Sequence, residues 1–587
     1  MKQRPLCLFL GLALVGCGDA GTHAVEAGPG DGDAAVSTAN DSTLDVAVQV
    51  GPDARRTNDG GPDATRPTGC TPAAGSADDP LRVVTTGGPA RGLEAEGVRA
   101  WLGLPFAAPP VGDRRFAPPA APSVSATTCD AAPRDATAFA AACLQVSKAC
   151  ATGTLAGCTV EGAEDCLYLN VWQPTATAAK RPVLFFIHGG GNAIGSTSEQ
   201  PAPGTYLYDG AALAAATGAL VVTTAYRLGP FGWAAHPELA RPENGGRSGN
   251  FGLLDQMAAL KWVRANAEAF GADPNRVAIF GESAGGADVC MLLASPVAGG
   301  LFQAALIESG GCPAYTMAQV AETTSQLVAA AGCAGAAGGE IACLRGKPGA
   351  DLLLAMPPQV VVAGRGSTLF QPAVDGDLLP EAPLTTLAAG RGNHVPTVVG
   401  SNAEETAASL PPASAIPDEA AYSAVLRADF GPLAPQVLAQ YPVRRFASPW
   451  EALMRVTTDA KFVCPTRTIL HTLHDAPGAA PVWRYFYTHH LENIRRAAYA
   501  QHGIELFFVF QHLSVAGYRP SADEVALAGS IADAWGGLAS AGDPGTAQTP
   551  WAPWTPETDH HLVLQGGDVR GDDGVRTADC DFWETLR

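Results

Sequence analysis

The chain has 587 residues, 47% of them hydrophobic, and a formal net charge of −20 at neutral pH. That length and apolar content permit a large core. The lack of any clustered basic segment argues against a nucleic-acid partner, whose phosphates would have to be neutralised.

At the start of the chain, Lys2 and Arg4 precede an apolar run from Leu6 to Val15 that closes in Leu14-Val15-Gly16-Cys17. The pattern resembles a bacterial lipoprotein signal, with an ordinary secretory signal as the alternative. The resemblance implies cleavage before Cys17 and acylation of its thiol and new amino group, so residues 1–16 would not remain as a membrane span. Losing Lys2 and Arg4 with no acid takes the formal charge from −20 to −22. Residues 17–75 are rich in Gly, Ala, Asp, Pro and Thr, and no aromatic residue occurs after Cys17 until Trp101. Such a stretch has too little apolar surface to fold and reads as a tether, which leaves residues 76–587 as the folded domain. No other segment is long and apolar enough to span a bilayer. Attachment to a cell-envelope membrane is therefore expected through Cys17 alone.

Further along, Pro182 to Ile187 reads as a fully buried strand that runs into His188-Gly189-Gly190-Gly191. Consecutive glycines leave their amides uncovered, so Gly190 and Gly191 N–H can point into a cavity. Ala219 to Tyr226 reads as a second central strand, and Leu253, Met257, Leu260 and Val263 fall on one face of a helix ending near Phe270. Next, Val277-Ala278-Ile279-Phe280 leads into Gly281-Glu282-Ser283-Ala284-Gly285-Gly286 and a helical run through Leu293. Strand, Gly-x-Ser-x-Gly, helix is what a nucleophile elbow needs: small residues allow a tight turn, the serine stands exposed, and Ala284 N–H joins the glycine amides as an oxyanion donor. Ala304 to Ile307, Pro396 to Gly400 and Trp483 to Tyr487 read as further strands. Strands alternating with helices imply an α/β fold with a largely parallel sheet covered on both faces.

The ordered motifs together resemble the type-B carboxylesterases of the α/β-hydrolase fold. They begin with Gly103-Leu104-Pro105-Phe106-Ala107 and Pro109-Pro110-Val111-Gly112. Glu164-Asp165-Cys166-Leu167-Tyr168-Leu169-Asn170-Val171 follows, then the glycine loop, Tyr226-Arg227-Leu228-Gly229, Gly249 to Gln256 and the elbow. The resemblance runs from about Val83 to Trp583. It implies a serine hydrolase acting on carboxylic esters without metal or organic cofactor. Lipases, amidases and carbamate hydrolases with the same triad, and binding proteins of the same fold, are the other readings.

A serine nucleophile needs a base and an orienting acid, here in the order Ser, Asp or Glu, His. Gln501-His502-Gly503-Ile504-Glu505 is similar to the family's His-Gly-x-Glu segment and marks His502 as the base, with His489-His490 read as structural. In Ser401-Asn402-Ala403-Glu404-Glu405-Thr406 the family register marks Glu405 as the acid. Thr406 stands where glycine is usual, which keeps Glu404 as the alternative. Glu282 resembles a position that supports the site electrostatically.

Of 14 cysteines, 12 remain without Cys7 and Cys17, an even number compatible with a disulfide framework. No Cys-x-x-Cys spacing occurs, so zinc is not expected. The resemblance implies pairs Cys333–Cys343 and Cys464–Cys580, and a partner for Cys166 upstream, Cys143 being preferred over Cys150 or Cys158. Cys290 reads as a small buried apolar residue. The Cys143–Cys166 loop holds no aromatic residue, which argues against cationic choline esters.

Overall fold

Val183, Phe185 and Ile187 pack into one hydrophobic core and Leu184 and Phe186 into another, so this strand is buried on both faces. The same alternation holds at Val277 and Ile279 against Ala278 and Phe280, and at Ala305 and Ile307 against Ala304 and Leu306. Two cores, one on each side of a sheet, explain why these runs are apolar throughout.

A computed structural model describes residues 69–586, apart from 125, 153–156, 177–179, 314, 361, 364–368 and 494–498. The expected signal, Cys17 and the tether as far as residue 68 lie outside the described residues. Among the described residues the main sheet has eleven strands: β1 (Leu93–Ala95), β2 (Val98–Pro105), β3 (Tyr168–Pro174), β4 (Arg181–Ile187), β5 (Leu220–Thr224), β6 (Ala272–Glu282), β7 (Ala304–Glu308), β8 (Thr397–Asn402), β9 (Val482–Tyr487), β10 (His560–Leu564) and β11 (Arg570–Asp573). Their spatial order is β11-β10-β9-β8-β7-β6-β4-β5-β3-β2-β1. Every pairing from β10 across to β5 is parallel. Antiparallel strands flank both ends.

Pairing register brings the carboxyl ends of the central strands to one edge: Gly281 lies beside Ile187, Glu282 beside Glu308, and Glu308 beside Gly400. Ligand sites of parallel α/β sheets gather at this edge. Helix α1 (Phe251–Asn266) lays Leu253, Met257, Leu260 and Val263 on the first core, as does α2 (Ala284–Ala294) with Val289, Leu292 and Leu293. Further on, α3 (Pro449–Thr458) is joined to α4 (Cys464–Asp475) by a π-helical turn, Asp459–Val463. The opposite core is covered by α5 (Ala522–Ala541), whose Leu527, Ile531, Trp535 and Leu538 face the sheet. Its start is fixed by a capping box: Glu524 N–H donates to Ser521 Oγ at 3.1 Å and Ser521 N–H to Glu524 Oε2 at 2.8 Å. A final helix, α6 (Thr577–Glu584), joins a third core around Tyr422, Tyr441 and Leu453 through Cys580 and Trp583. Among the described residues no helix is long and apolar enough to cross a membrane.

Six disulfides use all twelve cysteines from Cys70 to Cys580: 70–129, 143–166, 150–158, 290–312, 333–343 and 464–580. Bonds in this number point to an oxidising, exported setting. Two expectations are corrected. Cys290 is buried, but it is not a free apolar filler: α2 lies against the segment leaving β7, and that packing brings Cys290 onto Cys312. The tether also ends earlier than its composition suggests. Cys70 is bonded to Cys129, and Ala73 exchanges backbone hydrogen bonds with Val84, so a covalent link holds in place a segment with few apolar side chains.

Candidate active site

β6 ends at Glu282 and α2 begins at Ala284, so Ser283 alone makes the turn, with φ 58° and ψ −120°. A non-glycine residue persists there only when its surroundings hold it. Ser283 N–H donates to the Glu308 carbonyl at 2.9 Å, and Ala287 N–H donates to the Ser283 carbonyl at 2.9 Å. The elbow glycines are required by contact rather than by flexibility. A Cβ on Gly285 would sit 2.1 Å from the Ile187 oxygen, and one on Gly281 would sit 2.5 Å from the Gly285 carbonyl carbon. Ser283 itself stays half-buried.

The glycine loop leaves β4 directly. Gly190 and Gly191 have φ of 108° and 66°. Among the described residues neither of their N–H groups has an intramolecular acceptor, and Ala284, as the first helical residue, has no acceptor within α2. The loop is held from outside: Gln371 Nε2 donates to Gly191 O at 2.8 Å, Gly229 N–H donates to Asn192 O at 2.7 Å, and Asn192 Nδ2 reaches Asp288 Oδ1 on α2 at 3.2 Å. Burial pulls the His188 imidazole down to about 4, and its ring is stacked on Tyr226 at 4.6 Å. His188 is therefore neutral and structural.

Past β8 the chain brings the two neighbouring glutamates to different partners. Glu405 Oε2 lies 2.6 Å from His502 Nδ1, its Oε1 accepts from Asn402 N–H at 2.7 Å, and its carbonyl accepts from His502 N–H at 3.1 Å. Glu404 Oε2 instead meets His490 Nε2 at 2.7 Å and Ala500 N–H at 2.8 Å. His489 lies against Glu524, 3.0 Å away, far along the sequence from the elbow. Asn402 Nδ2 also donates to the Gln501 carbonyl at 2.9 Å and to Glu505, which ties the two loops together. Thr406 needs no glycine-only backbone. Its hydroxyl joins those of Thr457, at 2.7 Å, and Thr458, at 3.1 Å, on α3.

His502 is buried, which by itself lowers its pKa, but the carboxylates of Glu282 and Glu405 outweigh burial and raise it to about 9. Among the described residues its Nε2 has no hydrogen-bond partner, although Glu282 Oε1 stands 3.2 Å away, off the bonding direction. In the neutral ring Nε2 is thus left free to take a proton from an incoming group. Burial lifts Glu282 to about 7 against the pull of His502, lifts Asp288 to about 7 and lifts Glu308 to about 8. Asp288, Glu308 with its Trp535 partner, Gln371 and Asn192 are site supports that motif reading did not single out. Their contacts join segments 96 to 227 residues apart, which leaves no local signal.

A half-buried serine on a strained strand-to-helix turn, with free amides beside it and an imidazole bonded to a carboxylate, is a set of parts suited to acyl transfer. Comparison with known proteins decides the family, because the carboxylesterase family model matches residues 79–583. The chain belongs to the carboxylesterase family. This carboxylesterase is 36% identical over 492 residues to para-nitrobenzyl esterase of Bacillus subtilis (strain 168), covering 82% of this chain and 94% of that one. It is 34% identical over 490 residues to fumonisin B1 esterase of Sphingopyxis macrogoltabida, covering 81% and 84%. A solved PNB esterase structure superposes with a TM-score of 0.72 at 33% identity, covering 86% of this chain and 99% of the other. The carboxylesterase accordingly has the α/β-hydrolase fold and is a carboxylic ester hydrolase. Its Tyr226-Arg227 and Leu254-Asp255 motifs meet in a buried ion pair, with Arg227 Nη2 2.7 Å from Asp255 Oδ1.

Proposed function

We propose that Ser283, His502 and Glu405 form the catalytic triad of an esterase that works through an acyl-enzyme, and that Gly190, Gly191 and Ala284 form its oxyanion hole. The observation that carries this reading is the 2.6 Å bond between His502 Nδ1 and Glu405 Oε2, which in the neutral ring favours the tautomer with Nε2 unprotonated. In the first half-reaction His502 Nε2 takes the Ser283 proton while Oγ attacks the ester carbonyl. The three amides receive the oxyanion, and the alcohol departs with the proton from His502. Water, activated by the same imidazole, then cleaves the acyl-enzyme and restores the serine. Glu405 stays ionised throughout and stabilises the imidazolium.

The substrates are small-molecule carboxylic esters, a class supported by the names of the two relatives. Lipase, amidase and carbamate chemistry would use the same groups. Hydrolysis of para-nitrophenyl esters from acetate to palmitate, beside Ser283→Ala, tests the reading: turnover of short esters that disappears in the variant supports it, and substantial turnover in the variant overturns it. Matched ester and amide substrates compared by kcat/KM separate the neighbouring activities.

The localisation rests on the first 17 residues. We infer export and lipid anchoring at Cys17, with the catalytic domain facing the oxidising side of a bacterial envelope membrane. Cys17→Ala in the full chain should abolish labelling by a fatty-acid tracer and release activity into the soluble fraction.

A further inference from the structure

The loop of the proposed acid and the turn packed behind the proposed base meet at one guanidinium. Arg576 stands just ahead of α6 with a left-handed backbone, φ 52°. Its side chain is 11% exposed and lies over the Phe486 ring of β9 at 5.3 Å. Arg576 Nη2 donates to the carbonyl oxygen of Ala403, 2.5 Å away, in the loop that carries Glu405. Nη1 is ion-paired with Asp459, the first residue of the π-helical turn. Three residues later in that turn, Phe462 packs its ring against the His502 imidazole, with centroids 4.9 Å apart. Asp459 is fully buried and also accepts from the Tyr441 hydroxyl at 3.0 Å. The backbone ahead of Arg576 is pinned as well: Val575 N–H donates to Asp559 Oδ2 at 3.0 Å, and Asp559 is paired with Arg484 on β9.

We propose that Arg576 is a positioning residue for ester hydrolysis, joining the Glu405 loop to the π-turn behind His502 so that acid and base keep one spacing. The inference rests on the reading of Ser283, His502 and Glu405 as the triad. A guanidinium suits the task because its planar fork offers separate donors to two acceptors at once, whereas an ammonium is a single point charge. π-Helical turns recur at functional sites, and this one carries Phe462, whose ring lies against the imidazole. The charged groups facing His502 are Glu282, Glu405 and Lys461, and those facing the Arg576–Asp459 pair are Arg455, Asp579 and Arg484.

The test measures kcat and KM for para-nitrophenyl acetate, the pH profile of kcat/KM and the melting temperature, on Arg576→Leu, Arg576→Lys and Ser283→Ala beside the parent chain. Arg576→Leu should lower kcat about tenfold or more with KM within about twofold, the scale expected of small misplacements in a catalytic group. It should also move the ascending limb of the profile to lower pH, because a loosened Glu405 no longer holds the imidazole pKa up. Arg576→Lys should recover part of kcat. A role in stability alone would lower the melting temperature and leave the limb in place. A folded Arg576→Leu enzyme with kcat within about twofold of the parent and an unmoved limb would overturn the proposal. Should Arg576→Leu fail to fold, Arg576→Lys carries the test: a several-fold loss of kcat with a shifted limb supports it, and parent values overturn it. Turnover surviving in Ser283→Ala would sink the triad reading instead, while its loss there beside unaffected Arg576 variants sinks the positioning role alone.

Discussion

Glu282 Oε1 lies 3.2 Å from His502 Nε2, the ring nitrogen that Glu405 leaves free. Burial raises this carboxyl to about 7, and the two carboxylates raise the imidazole to about 9, so each group favours the charged form of the other. Glu282→Gln removes a negative charge that favours the imidazolium, and the His502 pKa should fall. In the proposed mechanism the imidazole must be neutral to take the serine proton, so the ascending limb of kcat/KM should shift to lower pH. The plateau kcat should drop by about tenfold, since the imidazolium of the transition state loses a stabilising neighbour. A pH–rate profile on para-nitrophenyl acetate checks both, and an unmoved limb would contradict the coupling.

Glu308 makes a prediction about stability rather than rate. Burial, with the Glu282 charge adding to it and the Trp535 indole opposing, raises its carboxyl from 4.5 to about 8. The folded chain therefore holds a proton that the unfolded chain releases. That contribution is complete below about pH 4.5 and is lost as pH rises through about 8. Glu308→Gln keeps an oxygen for the Trp535 N–H, 2.7 Å away, and carries no charge. Thermal melts should show the variant gaining on the parent by roughly 1 kcal/mol or more at high pH, with the difference vanishing toward acid. A constant offset across the pH range would show that the group is not buried neutral.

The Cys290–Cys312 bond fastens the elbow helix to the exit of β7 across 22 residues. Replacing both cysteines by alanine should lower stability by about 3 kcal/mol, the scale for closing a loop of that length. Unreduced protein should contain no titratable thiol from Cys70 onward, because all twelve are paired. A thiol titration under denaturing conditions and a thermal melt of the double variant check the two parts separately.

Much of this molecule could be read from local pattern, for reasons that also explain what could not. The strand ending at Ile187 is legible because both its faces are buried, and the elbow because the glycines that avoid Ile187 and Glu308 are close neighbours of the serine in sequence. Glu404 and Glu405 are adjacent acids whose directions depend on the turn after Asn402, and only the fold sends one to His490 and the other to His502. Thr406 departs from the family glycine without harm because its φ is negative and its hydroxyl finds Thr457 on α3. Cys290 reads as apolar because Val289, Met291 and Leu292 surround it in the sequence, while its partner is set by packing of a helix against the segment leaving a strand. Arg576 sits 173 residues from the carbonyl it holds, a distance no motif spans.

That separation orders events during synthesis. Ser283, the glycine loop and the Glu405 loop all leave the ribosome before residue 576, so the nascent chain carries its proposed nucleophile while the Ala403 carbonyl still lacks its guanidinium partner. On the proposed positioning role of Arg576, ester cleavage by an unfinished or C-terminally clipped chain is disfavoured by the order of the sequence itself.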